Sequence, residues 1–167
     1  MTSSLNNYPN TFQTNPSPLQ TNSTNPTTSM TTNPTTLNKS AKGTVIFRPV
    51  QAKFNQDNNW ILKMNPYCKI KLGWKTAKTH VAYRQGISPE WNDAIVLHRK
   101  KDEEFAKIKV KARNTFGLDD NLGQTKIPLD EVVRMGKTSK WFNLYKDNKI
   151  TGEILLNMEF TTQSLME

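Results

Sequence analysis

From Gly43 onward, apolar and polar residues alternate in short runs separated by turn residues. A period of two marks strands with one buried and one solvated face. The clearest run is Tyr67–Leu72, where Cys68, Ile70 and Leu72 fall on one side and Tyr67, Lys69 and Lys71 on the other. Lys107–Arg113 repeats the pattern: Ile108, Val110 and Ala112 read as inward, Lys107, Lys109, Lys111 and Arg113 as outward. Thr44–Val50, Ala94–His98, Trp141–Leu144 and Glu153–Phe160 read as further strands, and Asp130–Met135 as a helical turn. Short alternating strands of this kind predict an all-β, two-sheet antiparallel sandwich.

Ahead of Gly43 the alternation vanishes. Residues 1–38 hold no Asp, Glu, Lys or Arg and are mostly Thr, Asn, Ser and Pro, with Thr-Asn-Pro recurring at 14–16, 24–26 and 32–34. So few apolar groups do not offset the roughly 1–2 kcal/mol per residue lost on ordering a backbone. Residues 1–42 therefore predict a disordered, Pro-stiffened tail when alone. The alternative is a tail ordered along a partner protein, with Tyr8, Phe12, Leu19 and Met30 as spaced anchors. The expected division is a tail over 1–42, a domain over 43–160 and a short C-terminal tail over 161–167.

Because residues 1–38 are uncharged, the net charge of +9 sits wholly on the rest of the 167-residue chain. That balance suits an anionic partner: phospholipid, nucleic acid or an acidic protein. Nucleic acid is not expected, since the basic strands carry no outward aromatic ladder and no recognition motif. Arg99-Lys100-Lys101 runs directly into Asp102-Glu103-Glu104, which reads as a solvated turn of compensated charge. A single cysteine, Cys68, leaves no intramolecular disulfide or Cys-rich zinc site and points to a reducing compartment. His80, His98 and Cys68 lack metal-ligand spacing. No run of about 18 apolar residues is present, position 2 is Thr rather than a myristoylated Gly, and no C-terminal Cys awaits a prenyl group. Membrane contact is thus expected from the folded surface of a cytoplasmic protein, peripheral to a membrane or associated with the cytoskeleton. Catalysis and cofactors are not expected: there is no phosphate-cradling Gly loop, no Gly-x-Ser-x-Gly and no carboxylate pair in a cleft.

Several short motifs narrow the class. Asn65-Pro66-Tyr67, Pro89-Glu90-Trp91-Asn92, the run Phe116–Gly123, Ile127-Pro128-Leu129, Trp141–Leu144 and Gly152-Glu153-Ile154 follow one another at set spacing. In that order they resemble the landmarks of the C2 domain family, over about Gly43–Phe160. The resemblance implies an eight-stranded sandwich with Trp91 and Trp141 in its core. It also implies two loops at one end where calcium-binding members place aspartates. The matching positions here are Asn65, a position near Asn59 with Asp57 close by, Ala112, Asn114 and Asp120. Only Asp120 is a clear carboxylate, so the metal site reads as degenerate and calcium is not expected to bind at cellular levels. Any surface binding would then be constitutive.

Two surfaces follow from the same resemblance. The loop tips carry Trp60, Ile61 and Leu62 in the first loop and Phe116 and Leu118 in the third, suited to shallow insertion into a bilayer interface. Alternatively, Leu62 and Phe116 cap the end of the sandwich. Tyr67, Lys69, Lys71 and Lys78, with Lys75 nearby, match the lysine-rich strand cluster with which protein kinase C type C2 domains hold phosphoinositide headgroups. Lys107, Lys109 and Lys111 would share that concave sheet, with Lys111 standing where relatives place an aromatic. Two functions remain open: a calcium-independent module on anionic phospholipid or an acidic protein surface, and a scaffold subunit of a cytoskeletal or axonemal assembly held by domain and tail together.

Overall fold

The computed structural model describes residues 41–55 and 64–162. They form β1 (Gly43–Phe54), β2 (Pro66–Leu72), β3 (Lys75–Lys78), β4 (Ile95–Arg99), β5 (Phe105–Ala112), β6 (Asp120–Pro128), α1 (Asp130–Met135), β7 (Lys137–Lys146) and β8 (Lys149–Thr162). All pairings are antiparallel, in the order β3-β2-β5-β6-β7-β8-β1-β4. The strands β6 and β7 meet at one pair, Gln124 with Tyr145. That seam divides the strands into two four-stranded halves, whose inward residues merge in a single apolar core.

The alternation read in β2 and β5 is what builds this core. Cys68, Ile70 and Leu72 of one strand and Ile108 and Val110 of the next are fully shielded from solvent. From the other half, Val45, Phe47, Ile154 and Leu156 close over them. Burying side chains of this size contributes about 1.5–3 kcal/mol each. At the far end, α1 turns Val132 and Val133 inward. Gly136 stops the helix with a positive φ of 78° and donates its N–H to the Val132 carbonyl. Gly152, from one of the sequence landmarks, is required by close approach: a Cβ there would run into the Lys53 carbonyl across the β1–β8 pair.

Three sequence expectations change. First, β1 runs on past Val50 to Phe54, because a bulge between Pro49 and Gln51 resets its alternation and lets Ala52 and Phe54 face the core. Second, Trp91 is buried as expected, but Trp141 is not a core residue. On β7 the inward positions are Phe142 and Leu144, so Trp141 lies on the outer face opposite Leu155, 39% exposed, with the Lys53 ammonium 4.5 Å from its ring centre. Third, Arg99 does not belong to a solvated turn. It is buried and donates to the carbonyls of Glu103 and Ala41, while Lys100 and Lys101 alone of that triplet reach solvent.

Candidate functional site

The outward faces of β3, β2, β5 and β6 form one basic surface, and strand register orders it into rows. Lys78, Lys69 and Lys109 sit side by side across three strands and continue into Gln124 and Tyr145. In the next row Thr76, Lys71, Lys107 and Lys126 are direct neighbours. A third row holds Tyr67, Lys111 and Asn121. Adjacent strands lie about 4.8 Å apart, so in the first two rows lysines stand directly beside one another at the backbone. Directly opposed like charges destabilise a sheet. Among the described residues none of these lysines has a carboxylate salt-bridge partner; the ion pairs there join Arg48 and Lys137 to Glu159, Lys140 to Glu131, and His80 to Asp93.

Two shallow clefts follow the rows. One, of about 470 Å³, lies among Lys69, Lys71, Thr76, Lys107, Lys109 and Lys111, with Asp119 and Asn121 at its rim. The other, of about 760 Å³, continues over Lys71, Lys107 and Lys126 between Phe105 and Tyr145. The ring of Phe105 carries the Lys126 ammonium 4.0 Å from its centre. Sequence reasoning missed Lys126, Phe105 and Tyr145. The inward pair Leu122 and Gly123, beside the bulge at Val110/Lys111, breaks the alternation of β6 and hides which way Lys126 points.

Two predicted members of the basic face are not open to a ligand there. Lys75 lies opposite Leu72, so its position is on the inward side of β3, and its ammonium donates to the His98 carbonyl of β4. Tyr67 points to the basic side, yet it is 6% exposed and offers no open ring. Its hydroxyl donates to Asp119 Oδ2 at 2.7 Å, and the Lys78 ammonium lies 5.5 Å from its ring centre. Burial, then the bond to Asp119, pushes the Tyr67 hydroxyl up to about 12. In turn, the Tyr67 hydroxyl and the Asn114 N–H hold the Asp119 carboxyl below its ordinary range.

The third loop, residues 113–119, is stitched by these groups. Asn114 N–H donates to Asp119 Oδ1 at 3.1 Å, and its side-chain Nδ2 donates to the Leu118 carbonyl at 2.8 Å and to Asp120 Oδ2 at 3.0 Å. Ala112 offers no side-chain oxygen, and Asn65 Oδ1 accepts the Arg84 N–H at 2.9 Å. Calcium needs six to eight oxygens, most of its affinity coming from carboxylates. The described donor set does not supply them: no group of three His, Cys, Asp or Glu suited to a metal occurs among the described residues. Asp57, Asn59, Trp60, Ile61 and Leu62 lie outside the described residues. Phe116 and Leu118 are each 91% exposed, so Phe116 does not cap the sandwich. Cys68 is fully buried, and burial pushes its thiol well up, as befits a core residue rather than a nucleophile.

A two-halved antiparallel sandwich with this strand order and lysine rows on one of its halves defines a class of β-sandwich domain. The C2 domain family model matches residues 43–144, and the chain belongs to this family. It is 29% identical to the 16 kDa phloem protein 2 of Arabidopsis thaliana over 119 residues, spanning 71% of this chain and 81% of that protein. With Elicitor-responsive protein 3 of Oryza sativa subsp. japonica it shares 26% identity, over 73% of this chain and 85% of the relative. Extended synaptotagmin-1 of Mus musculus is 30% identical over 60% of this chain but only 9% of its own length. Among solved structures, a C2 domain-containing protein superimposes with a TM-score of 0.69 at 26% identity, covering 77% of this chain and 95% of its own. No helix among the described residues is long and apolar enough to cross a membrane.

Proposed function

We propose that this C2 domain is a non-enzymatic interaction module that docks its lysine face on anionic phospholipid without calcium. The observation that carries the reading is the pair of adjacent lysine rows, Lys78-Lys69-Lys109 and Lys71-Lys107-Lys126, with no described carboxylate to neutralise them. Asp119, an acidic group lining the cleft between them, is already engaged by Tyr67 and Asn114. A partner with a dense array of phosphates relieves the crowding, each lysine contributing about 1 kcal/mol near an anionic membrane surface. Lysines act there as point charges rather than bidentate clamps, so the attraction is strong in charge and weak in headgroup geometry. Extended synaptotagmin-1 and Multiple C2 domain and transmembrane region protein 5, both relatives in sequence, are consistent with a membrane setting by name.

The test is co-sedimentation of the full chain with neutral and with phosphoinositide-containing vesicles, in calcium and in chelator. Binding to the anionic vesicles alone, equal in both conditions and lost in high salt, is the expected result. Binding that needs calcium would overturn the metal-independent part. Absence of binding in every condition would remove the phospholipid and leave an acidic protein surface as the partner for the same lysines.

A further inference from the structure

The third loop is held by donors placed where a metal-binding relative would place acceptors. The side-chain Nδ2 of Asn114 lies between the Leu118 carbonyl and Asp120 Oδ2, and both of these accept only. The group between them must therefore be the amide NH₂ and not the amide oxygen. A cation would draw the same two oxygens together; here a neutral, covalently attached donor does so. Two further donors complete the arrangement, the Asn114 N–H and the Tyr67 hydroxyl, one on each oxygen of Asp119. Tyr67 is buried on β2 and Asp120 is paired with Ala112 at the root of β6, so the loop is tied to two strands of the sandwich. At the tip, Gly117 turns the chain with a φ of 100°, and Phe116 and Leu118 flank it, almost wholly exposed.

We infer that Asn114 replaces a loop-bridging cation: its amide, with the Tyr67–Asp119 bond, fixes the third loop without metal, so that Phe116 and Leu118 are permanently presented to a bilayer interface. The choice of bilayer as partner rests on the proposed function; the metal-free lock does not. Arg113 and Lys111, just behind the apolar tip, would meet anionic headgroups as the tip enters.

Amide hydrogen exchange of the full chain tests the lock with no vesicle present, because exchange reports local opening of a segment. In the wild type, the loop amides from Asn114 to Asp120 are expected to exchange at the same rate in chelator and in millimolar calcium. Asn114→Ala removes both side-chain bonds and should speed loop exchange by about threefold to tenfold, leaving β5 unchanged. Asn114→Asp exchanges the donor for a carboxylate, so its loop should open in chelator and close again in about 10 mM calcium. Calcium protection of the wild-type loop would overturn the inference. So would an unaltered loop in Asn114→Ala, or an Asn114→Asp loop indifferent to calcium, since either reduces Asn114 to a filler of space. A parallel vesicle assay separates the two readings. A protected loop on a chain that binds no vesicles ends the phospholipid reading alone, whereas calcium-dependent loop order on a vesicle-binding chain ends the lock alone.

Discussion

The third loop and the lysine face lie at neighbouring parts of one sheet and treat charge in opposite ways. In the loop, Asp119 and Asp120 each meet a donor from the same chain, and the donors come from Tyr67 and Asn114. On the face, Lys69 lies beside Lys78 and Lys109, and Lys107 beside Lys71 and Lys126, across the strands. Polar groups that satisfy one another rigidify a structure and have less to offer a ligand. Uncompensated like charges cost stability and are repaid only when a counter-charged partner arrives. The loop thus reads as a finished structural element with an apolar tip, and the face as one half of an ion-pairing surface.

The strongest way to break that contrast is to invert the face. Lys69→Glu with Lys71→Glu changes four units of charge, so at about 1 kcal/mol per unit near an anionic membrane surface the loss is about 4 kcal/mol, roughly a thousandfold. Vesicle co-sedimentation reads it, with circular dichroism to confirm an intact fold; unchanged binding would remove the face from the function. The apolar tip comes next. Phe116→Ala with Leu118→Ala should cost about 3 kcal/mol of vesicle binding if each side chain is largely buried in the interface. This loss should persist in high salt, where the lysine contribution is screened. A tip variant whose loss disappears with salt would show that Phe116 and Leu118 stay in water.

How much of this was legible beforehand depends on where strand parity survives. In β2 and β5 the alternation is unbroken, so the inward Ile70 and Ile108 and the outward Lys69, Lys71, Lys107 and Lys109 could all be placed from sequence. Parity says which side a residue takes but not what lies over it. Tyr67 was assigned to the correct side, yet its contact with Asp119 joins residues 52 positions apart and left no local sign. Lys75 was misplaced because β3 is only four residues long, too short to show its own period. The adjacent Trp141 and Phe142 could not both point inward, and composition does not say which of two aromatics yields. That Ala112 and Asn114 bring no carboxylate to the third loop was readable from sequence, whereas the use of the Asn114 amide as a donor required the loop geometry.

Tyr67→Phe sharpens the loop side of the comparison by deleting one donor and keeping the ring. The expected cost is about 1 kcal/mol of global stability, measured by urea denaturation, since Asp119 remains accessible to water. The pH dependence has a definite sign. The Asp119 carboxyl is held below its ordinary value, so its share is present above about pH 4 and lost as the pH falls through the depressed value. The Tyr67 hydroxyl is pushed up to about 12, so its share is present below its unfolded value and lost as the pH rises toward 12. The gap between wild type and Tyr67→Phe should therefore be level from about pH 5 to 9 and narrow at both ends. A gap that varied within that window would show that some other group carries the bond's pH response.

The smallest effect has the most informative sign. Lys107 has Lys71 on one side and Lys126 on the other, both in direct cross-strand register, and is in no salt bridge among the described residues. Lys107→Gln retains much of the aliphatic stem that covers the sheet and removes the charge. If the face is held in a crowded state awaiting an anionic partner, the variant should be more stable than wild type by a few tenths of a kcal/mol for each neighbour relieved. It should also bind anionic vesicles less well, by about fivefold for one lost charge. Urea denaturation and co-sedimentation on the same preparation read the two changes together, and their opposition is the point. A solvated lysine with no role in binding would leave both measurements flat, and a lysine needed for packing would lower both. Only a residue whose charge is uncompensated in the free domain and useful in the complex raises stability and weakens binding in a single substitution.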